Sequence, residues 1–305
     1  MDLIKPGTHI DFVGKMKKAL FISWGLILIG IFSLIFHKGP RWGVEFVGGT
    51  EVHVKFTNYI NSDNIRRILS SAGYSAESVQ QLGLAQSNEY LIRFSPDVAP
   101  FERIQELQGK LEKVFESAVG KGRVNILRID YIGPKVGREL IEKGIISVLL
   151  GCVGILLYLM IRFEFEFALG AVIAIFHDVL ITIGALSITD KEFTLTIVAA
   201  ILTIIGYSVN DTIIIFDRIR ENLKKSTNME FKQIVNESIN QTLSRTILTV
   251  ITVFLVLLAL FFLGGSVIHD FAFAMIVGIV TGTYSSVFIA SAFVIYWKYR
   301  KGILT

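Results

Sequence analysis

Six apolar runs leave this chain of 305 residues few folds to choose from. Residues 19–36, 145–161, 167–188, 194–216, 247–268 and 271–297 are each long enough to cross a bilayer as one helix. Hydrocarbon offers a backbone no hydrogen-bond partners, so runs of this kind must satisfy themselves as helices. Hydrophobic residues make up 52% of the sequence and charged residues 18%, too apolar for a soluble protein and in keeping with a polytopic α-helical membrane protein surrounded by membrane lipid. The net charge of +4 is not gathered in one patch and no nucleic-acid-binding signature accompanies it, so nucleic acid is not an expected partner. The single cysteine, Cys152, can form neither an internal disulfide nor a metal cluster.

The segment 1–18 reads as a cytoplasmic tail. Lys15, Lys17 and Lys18 precede the first run, but Leu34-Ile35-Phe36-His37-Lys38 lacks a small-residue cleavage pattern, so the run is expected to stay as a first transmembrane helix. Residues 37–143 hold no spanning run and read as a separate domain, with 15 Lys/Arg against 13 Asp/Glu and no active-site cluster. Val52, Val54 and Phe56 alternate with polar neighbours as in a half-buried strand, and Ile65, Ile68, Leu69 and Ala72 follow at helical spacing. Two more strand patterns, 78–82 and 90–94, flank a loop with Gly83, Ser87 and Asn88; a helical pattern through Leu107, Leu111 and Phe115 and a strand pattern at 124–131 close the block. The order β-α-β-β-α-β is that of a split, ferredoxin-like α+β fold.

From 144 to 297 come the other five spans, with a loop at 217–246 and a tail at 298–305. Arg162, the six Lys/Arg of the loop, and Lys298, Arg300 and Lys301 lie on the side of the N-terminal lysines, with Lys191 alone opposite. The positive-inside rule then places both termini in the cytoplasm and the folded domain outside. Thr227 and Glu230 form a capping-box pattern before Phe231, Ile234, Val235 and Ile239, which predicts a short amphipathic helix on the cytoplasmic surface.

Within the fourth run stand Asn210 and Asp211. A carboxylate there costs about 2.5–3.5 kcal/mol on insertion scales, which makes Asp211 a functional candidate by default, against a reading in which Asn210, Ser208 or Arg218 merely holds it. A carboxylate whose surroundings change between apolar and cationic can load and release a proton. Arg245, just before the fifth run, reads alone as an interfacial anchor, and Arg218 competes with it as partner of Asp211. His177 and Asp178, at the middle of the third run, are balanced between a proton relay and structural hydrogen bonding; being adjacent, they point about 100° apart, so one can meet Asp211 while the other bonds a neighbouring backbone. No second ligand lies at zinc spacing. Ala274, Gly278, Gly282, Ser286 and Ala290 recur every four residues, a stripe for close helix packing, and Gly151 and Gly154 are expected to serve likewise. Phosphate-binding, nucleophile-elbow and His-Glu-x-x-His motifs are absent, so work must draw on a partner or an ion gradient, with no cofactor expected.

Six ordered motifs carry a resemblance: Gly43-Val44-Glu45-Phe46-Val47-Gly48-Gly49-Thr50, Ile132-Gly133-Pro134-Lys135-Val136-Gly137, Phe176-His177-Asp178-Val179, Gly206-Tyr207-Ser208-Val209-Asn210-Asp211-Thr212, Asp217-Arg218-Ile219-Arg220-Glu221-Asn222 and Gln241-Thr242-Leu243-Ser244-Arg245-Thr246. With them the chain resembles, over nearly its full length, the SecF side of the SecD/SecF family of bacterial protein-translocase subunits, departing from it at Glu45, where the family usually has Asp. The resemblance implies a resistance-nodulation-division-like membrane half in the bacterial inner membrane with one periplasmic domain, no enzymatic activity, and pairing with SecD. It implies further that the pair assists the SecYEG channel, with YajC and YidC as candidate further partners, using the proton-motive force to draw unfolded preprotein outward. By position Asp211 matches the family's proton-carrying Asp, Arg245 its functional Arg, and Asn210 the motif neighbour. Alternatives are a self-contained proton-driven exporter of small molecules, an intramembrane aspartyl protease built on Asp178 and Asp211, and a purely structural clamp.

Overall fold

The structure, a computed structural model, describes residues 9–82, 88–94, 104–225 and 229–301. Six of its helices are long and apolar enough to cross a membrane. The chain divides into two compact units, one comprising the chain up to Arg41, Ser147–Gly264 and the chain from Asp270, the other Trp42–Ile146 with Gly265–His269.

In the second unit a short helix α2 (Val44–Val47) leads into β1 (Gly49–Phe56), followed by α3 (Ser62–Ser71), β2 (Ala76–Leu82), β3 (Glu89–Phe94), α4 (Ile104–Val119) and β4 (Val124–Ile132). Gly48 and Gly49 join α2 to β1 at φ values of 81° and 123°, backbone that side chains beyond glycine rarely adopt. The four strands form one antiparallel sheet in the order β2-β3-β1-β4, with Val52 opposite Ile92 on one side and Ile129 on the other. Alternation does what the sequence predicts: Val52, Val54 and Phe56 are buried with Tyr90, Ile92 and Phe94 against Ile65 and Leu69 of α3 and Leu111 and Phe115 of α4. The α3 cap is local, since Asn61 Oδ1 accepts from Asp63 N at 2.9 Å. Gly83 and Ser87 of the expected loop lie outside the described residues.

The six spanning helices are α1 (Met16–Phe36), α5 (Pro134–Arg162), α6 (Phe165–Ile188), α7 (Leu195–Lys225), α8 (Phe231–Leu263) and a sixth span made of α9 (Gly265–Ser285), a π-helical turn (Ser286–Ala290) and α10 (Ser291–Arg300); the first turns of α5 and of α9 fall in the second unit and the rest in the membrane unit. Several helices outrun their apolar cores. α5 begins at Pro134, whose missing N–H is harmless at a first helical position, so Gly133 alone separates it from β4. α8 takes in both the expected surface helix and the fifth span as one element, because neither glycine nor proline interrupts Phe231–Leu263. Thr227 of the expected capping box is outside the described residues, and Glu230 sits at the N-cap without a side-chain bond.

Small residues set the closest crossings. A Cβ on Gly30 of α1 would lie 2.9 Å from the Cα of Gly184 on α6, and one on Gly278 would lie 2.2 Å from Ile204 Cδ1 of α7. Gly151 and Gly154 do not serve this way: a Cβ on Gly154 meets nothing within 4 Å, and one on Gly151 only an ordinary 3.6 Å contact, because α5 turns most of its spanning surface outward.

Candidate functional site

Three helices converge on two buried carboxylates. Asp211 lies in the middle of α7 and Asp178 in the middle of α6, each only 1% exposed. Their surroundings differ. Asp178 Oδ2 accepts from Ser208 Oγ of α7 at 2.6 Å and from Ser285 Oγ of α9 at 2.8 Å, while Oδ1 lies 2.9 Å from His177 Nδ1. One side chain thereby ties α6, α7 and the sixth span together.

His177 carries the network onward to α1. Its Nε2 lies 3.0 Å from Ser23 Oγ, which lies 3.2 Å from Tyr284 Oη, and Tyr284 Oη donates to Ala19 O at 2.6 Å. Ser23 has one proton and two acceptors within reach, His177 Nε2 and Tyr284 Oη, so the tautomer of the imidazole and the direction of the Ser23 hydroxyl are linked. The adjacency argument fails here: His177 and Asp178 meet each other, Nδ1 to Oδ1, and neither bonds to Asp211.

Asp211 has far less support. Thr283 Oγ1 of α9 donates to its Oδ2 at 3.4 Å, and its Oδ1 has no hydrogen-bond partner among the described residues. Hydrogen bonds to a charged group contribute about 1.5–3 kcal/mol each, so three short ones offset the insertion cost of Asp178 whereas one long one leaves that of Asp211 largely uncompensated. Asp211 makes no ion pair with Arg245 of α8. Arg218 is engaged elsewhere, its Nε donating to Gln241 Oε1 at 2.6 Å and its Nη1 to Glu221 at 2.7 Å. Asn210 is exposed on the outer side of α7, as Arg245 is on α8.

The small-residue stripe does more than pack. A Cβ on Gly282 would come within 3.1 Å of Ser208 Cβ and 3.5 Å of Asp178 Oδ2, so glycine there keeps the clamp closed. Ser286 Oγ lies 2.8 Å from Thr212 Oγ1 and opens the π turn, in which Ser291 Oγ donates to Ser286 O at 3.0 Å. π turns inside α-helices concentrate at functional sites. Ser23, Ser285, Thr283 and Tyr284 went unremarked in the sequence; the signal was a run of hydroxyls, Thr281, Thr283, Tyr284, Ser285 and Ser286, in an otherwise apolar span. Among the described residues no group of three or more His, Cys, Asp or Glu could hold a metal ion.

Comparison with known proteins shows the family. Residues 110–300 match the family described as "Protein export membrane protein SecD/SecF, C-terminal", and residues 33–58 match the "SecD/SecF GG Motif". The chain is similar to protein translocase subunit SecF of Calditerrivibrio nitroreducens, at 43% identity over 96% of each chain. With that of Magnetococcus marinus it shares 42% identity over 97% of this chain and 94% of the other. Among solved structures it is similar to the crystal structure of SecDF, a translocon-associated membrane protein from Thermus thermophilus. The TM-score is 0.86 at 37% identity, and the match covers 96% of this chain and 39% of that one.

Proposed function

The chain belongs to the SecD/SecF family of protein translocase subunits, and from that membership we propose that its work in the Sec pathway is driven by a proton gradient acting at Asp211. It is a multi-pass membrane protein and a Sec-pathway translocase subunit. A self-contained small-molecule exporter is not favoured, since the relatives named above are protein translocase subunits or a translocon-associated protein.

One observation carries the proposal: Asp211 is buried in mid-span with a carboxylate oxygen that has no hydrogen-bond partner among the described residues, and it makes no ion pair with Arg245. That relation has room to change when a proton arrives. Protonation removes the attraction to Arg245, and α7, α8 and the sixth span then repack, with Asn210 beside the site. Asp178 and His177 hold the neighbouring helices in register and form a second, hydroxyl-linked proton path. No cofactor is invoked, and the chain performs no covalent chemistry of its own.

The second unit is read as a ferredoxin-like domain outside the cytoplasm that grips emerging preprotein. Its β-α-β-β-α-β order, its sheet order and its helices packed over one face support the first part of that reading. The basic flanks support cytoplasmic termini in a bacterial inner membrane. SecD is the proposed partner, because the protein translocase subunit SecDF of Thermus thermophilus carries the matching region within one longer chain, 40% of which this chain covers. SecYEG, YajC and YidC are proposed contacts of the assembled pair.

The test is gradient-dependent preprotein transport in vesicles carrying Asp211→Asn or Arg245→Met, with assembly on SecD checked separately. Both variants should assemble and lose the gradient-dependent component. Full gradient-dependent transport by Asp211→Asn overturns the proposal.

A further inference from the structure

Away from Asp211, one recess combines fixed cations with an apolar approach. It encloses about 240 Å³ where α5 ends, α6 begins and the last turns of α7 pass, and is lined by Ile161, Arg162, Phe163, Glu164, Arg220 and Leu223. Arg162 lies over the Phe163 ring, 5.4 Å from its centroid, and its Nη2 is 3.1 Å from Asp217. Arg220 Nη1 donates to the carbonyl of Arg162 at 3.3 Å, which draws a second guanidinium to the same place. Among the described residues Arg220 has no carboxylate partner. The acid in the lining, Glu164, shares Lys298 Nζ with Glu166, at 3.1 and 3.4 Å. Arg220 is therefore the guanidinium of the recess that no carboxylate holds among the described residues.

The approach is apolar. Ile161 is 90% exposed and continues a surface formed by Leu150, Leu157 and Tyr158 along α5, the span with the least buried surface of the six. A soluble anion gains nothing from such a surface, whereas acyl chains do.

We propose that this recess binds the phosphodiester headgroup of an anionic phospholipid, with Arg162 and Arg220 on the phosphate and the acyl chains along the exposed face of α5. Guanidinium forks suit phosphate oxygens, and basic pockets between spans at a membrane surface take lipid headgroups of this charge.

The test is native mass spectrometry of the full-length, delipidated protein titrated with phosphatidylglycerol or with phosphatidylethanolamine, each with and without inorganic phosphate as competitor. Wild-type protein should retain phosphatidylglycerol in preference, and Arg220→Gln should weaken that retention about fivefold, the usual effect of one basic residue at a membrane surface. Lys224→Gln, which removes the same charge outside the recess, should leave it unchanged. Arg220 makes no ion pair among the described residues, and the one contact its removal opens is the 3.3 Å bond to the Arg162 carbonyl; an unaltered thermal midpoint verifies that the fold withstands this. Equal retention of the two lipids overturns the proposal, as does unchanged retention by Arg220→Gln or an equal loss in Lys224→Gln. Displacement of the lipid by millimolar inorganic phosphate overturns it in favour of a soluble phosphate site.

Discussion

Asp178 and Asp211 occupy neighbouring helices at equal burial, but hydrogen bonds to His177, Ser208 and Ser285 surround only the first. That asymmetry predicts unequal responses to neutral substitution. Asp178→Ala leaves two hydroxyls and an imidazole without their acceptor and should destabilise the protein by about 3–5 kcal/mol, read as a lowered thermal midpoint in detergent. Asp211→Asn removes one 3.4 Å bond and should cost under about 1 kcal/mol. Equal loss of stability in the two variants would contradict the division of labour between them. Both carboxylates were legible in the sequence as costly residues inside apolar runs. What was not legible was which of them is compensated, because Ser23, Ser208 and Ser285 come from three helices whose rotation is set by packing. The same limit applied to Arg218 and Arg245: spacing put either within reach of Asp211, and only the position of Gln241 and Glu221 shows Arg218 to be engaged.

At the level of elements, apolar runs and strand alternation fixed the existence of the helices and strands, while their ends depended on contacts that hydropathy does not see. α8 is one helix of 33 residues whose polar first half is held in place from outside. Asn236 Oδ1 accepts from Phe12 N at 2.8 Å, Asn240 Oδ1 accepts from Ile10 N at 2.8 Å, and both amides donate back to Ile10 O. Residues of the expected surface helix are thus a clamp on the segment before α1. The α1–α6 crossing gives a direct test of element packing. Gly184→Val must push Gly30 away and should destabilise by about 1–3 kcal/mol or more, whereas Gly25→Val on the same α1, where a Cβ meets nothing within 4 Å, should stay within about 0.5 kcal/mol. Equal thermal midpoints for the two valine variants would show that the close approach carries no weight. In the sheet, the bond from Lys55 Nζ at 2.9 Å, reinforced by His53, holds the Glu89 carboxyl below its ordinary 4.5. A depressed carboxyl contributes stability above its unfolded value that is lost as pH falls through the folded one. The β1–β3 pair should therefore weaken below about pH 4.5, and Glu89→Gln should flatten that part of the urea-unfolding profile against pH; a profile unchanged by the substitution would remove Glu89 from the account.

For the whole molecule, the question is what covers the outward faces of α5, α7 and α8. Leu150 on α5 and Val256 on α8 are 65% and 60% exposed, so exposure alone treats them alike. Their neighbours do not. The outward side of α5 from Ile145 to Ile161 carries no charge, as a lipid-facing surface should. The outward sides of α7 and α8 carry Asn210 and Arg245, polar groups that hydrocarbon penalises and a second protein can satisfy, whereas the exposed hydroxyls of Thr203 and Thr252 donate to their own helices. A solved relative in which this region is 39% of a longer chain fits the need for another membrane half, and six spans alone leave Asp211 next to an unfinished surface. A photo-crosslinking residue at Thr203 or Val256 should therefore give an adduct with co-expressed SecD, while the same residue at Leu150 should not. Adducts from Leu150 with none from Thr203 or Val256 would put the partner on the wrong side of the bundle. They would also remove the lipid-facing surface on which the Arg162–Arg220 recess depends, so one experiment bears on both faces of the membrane unit.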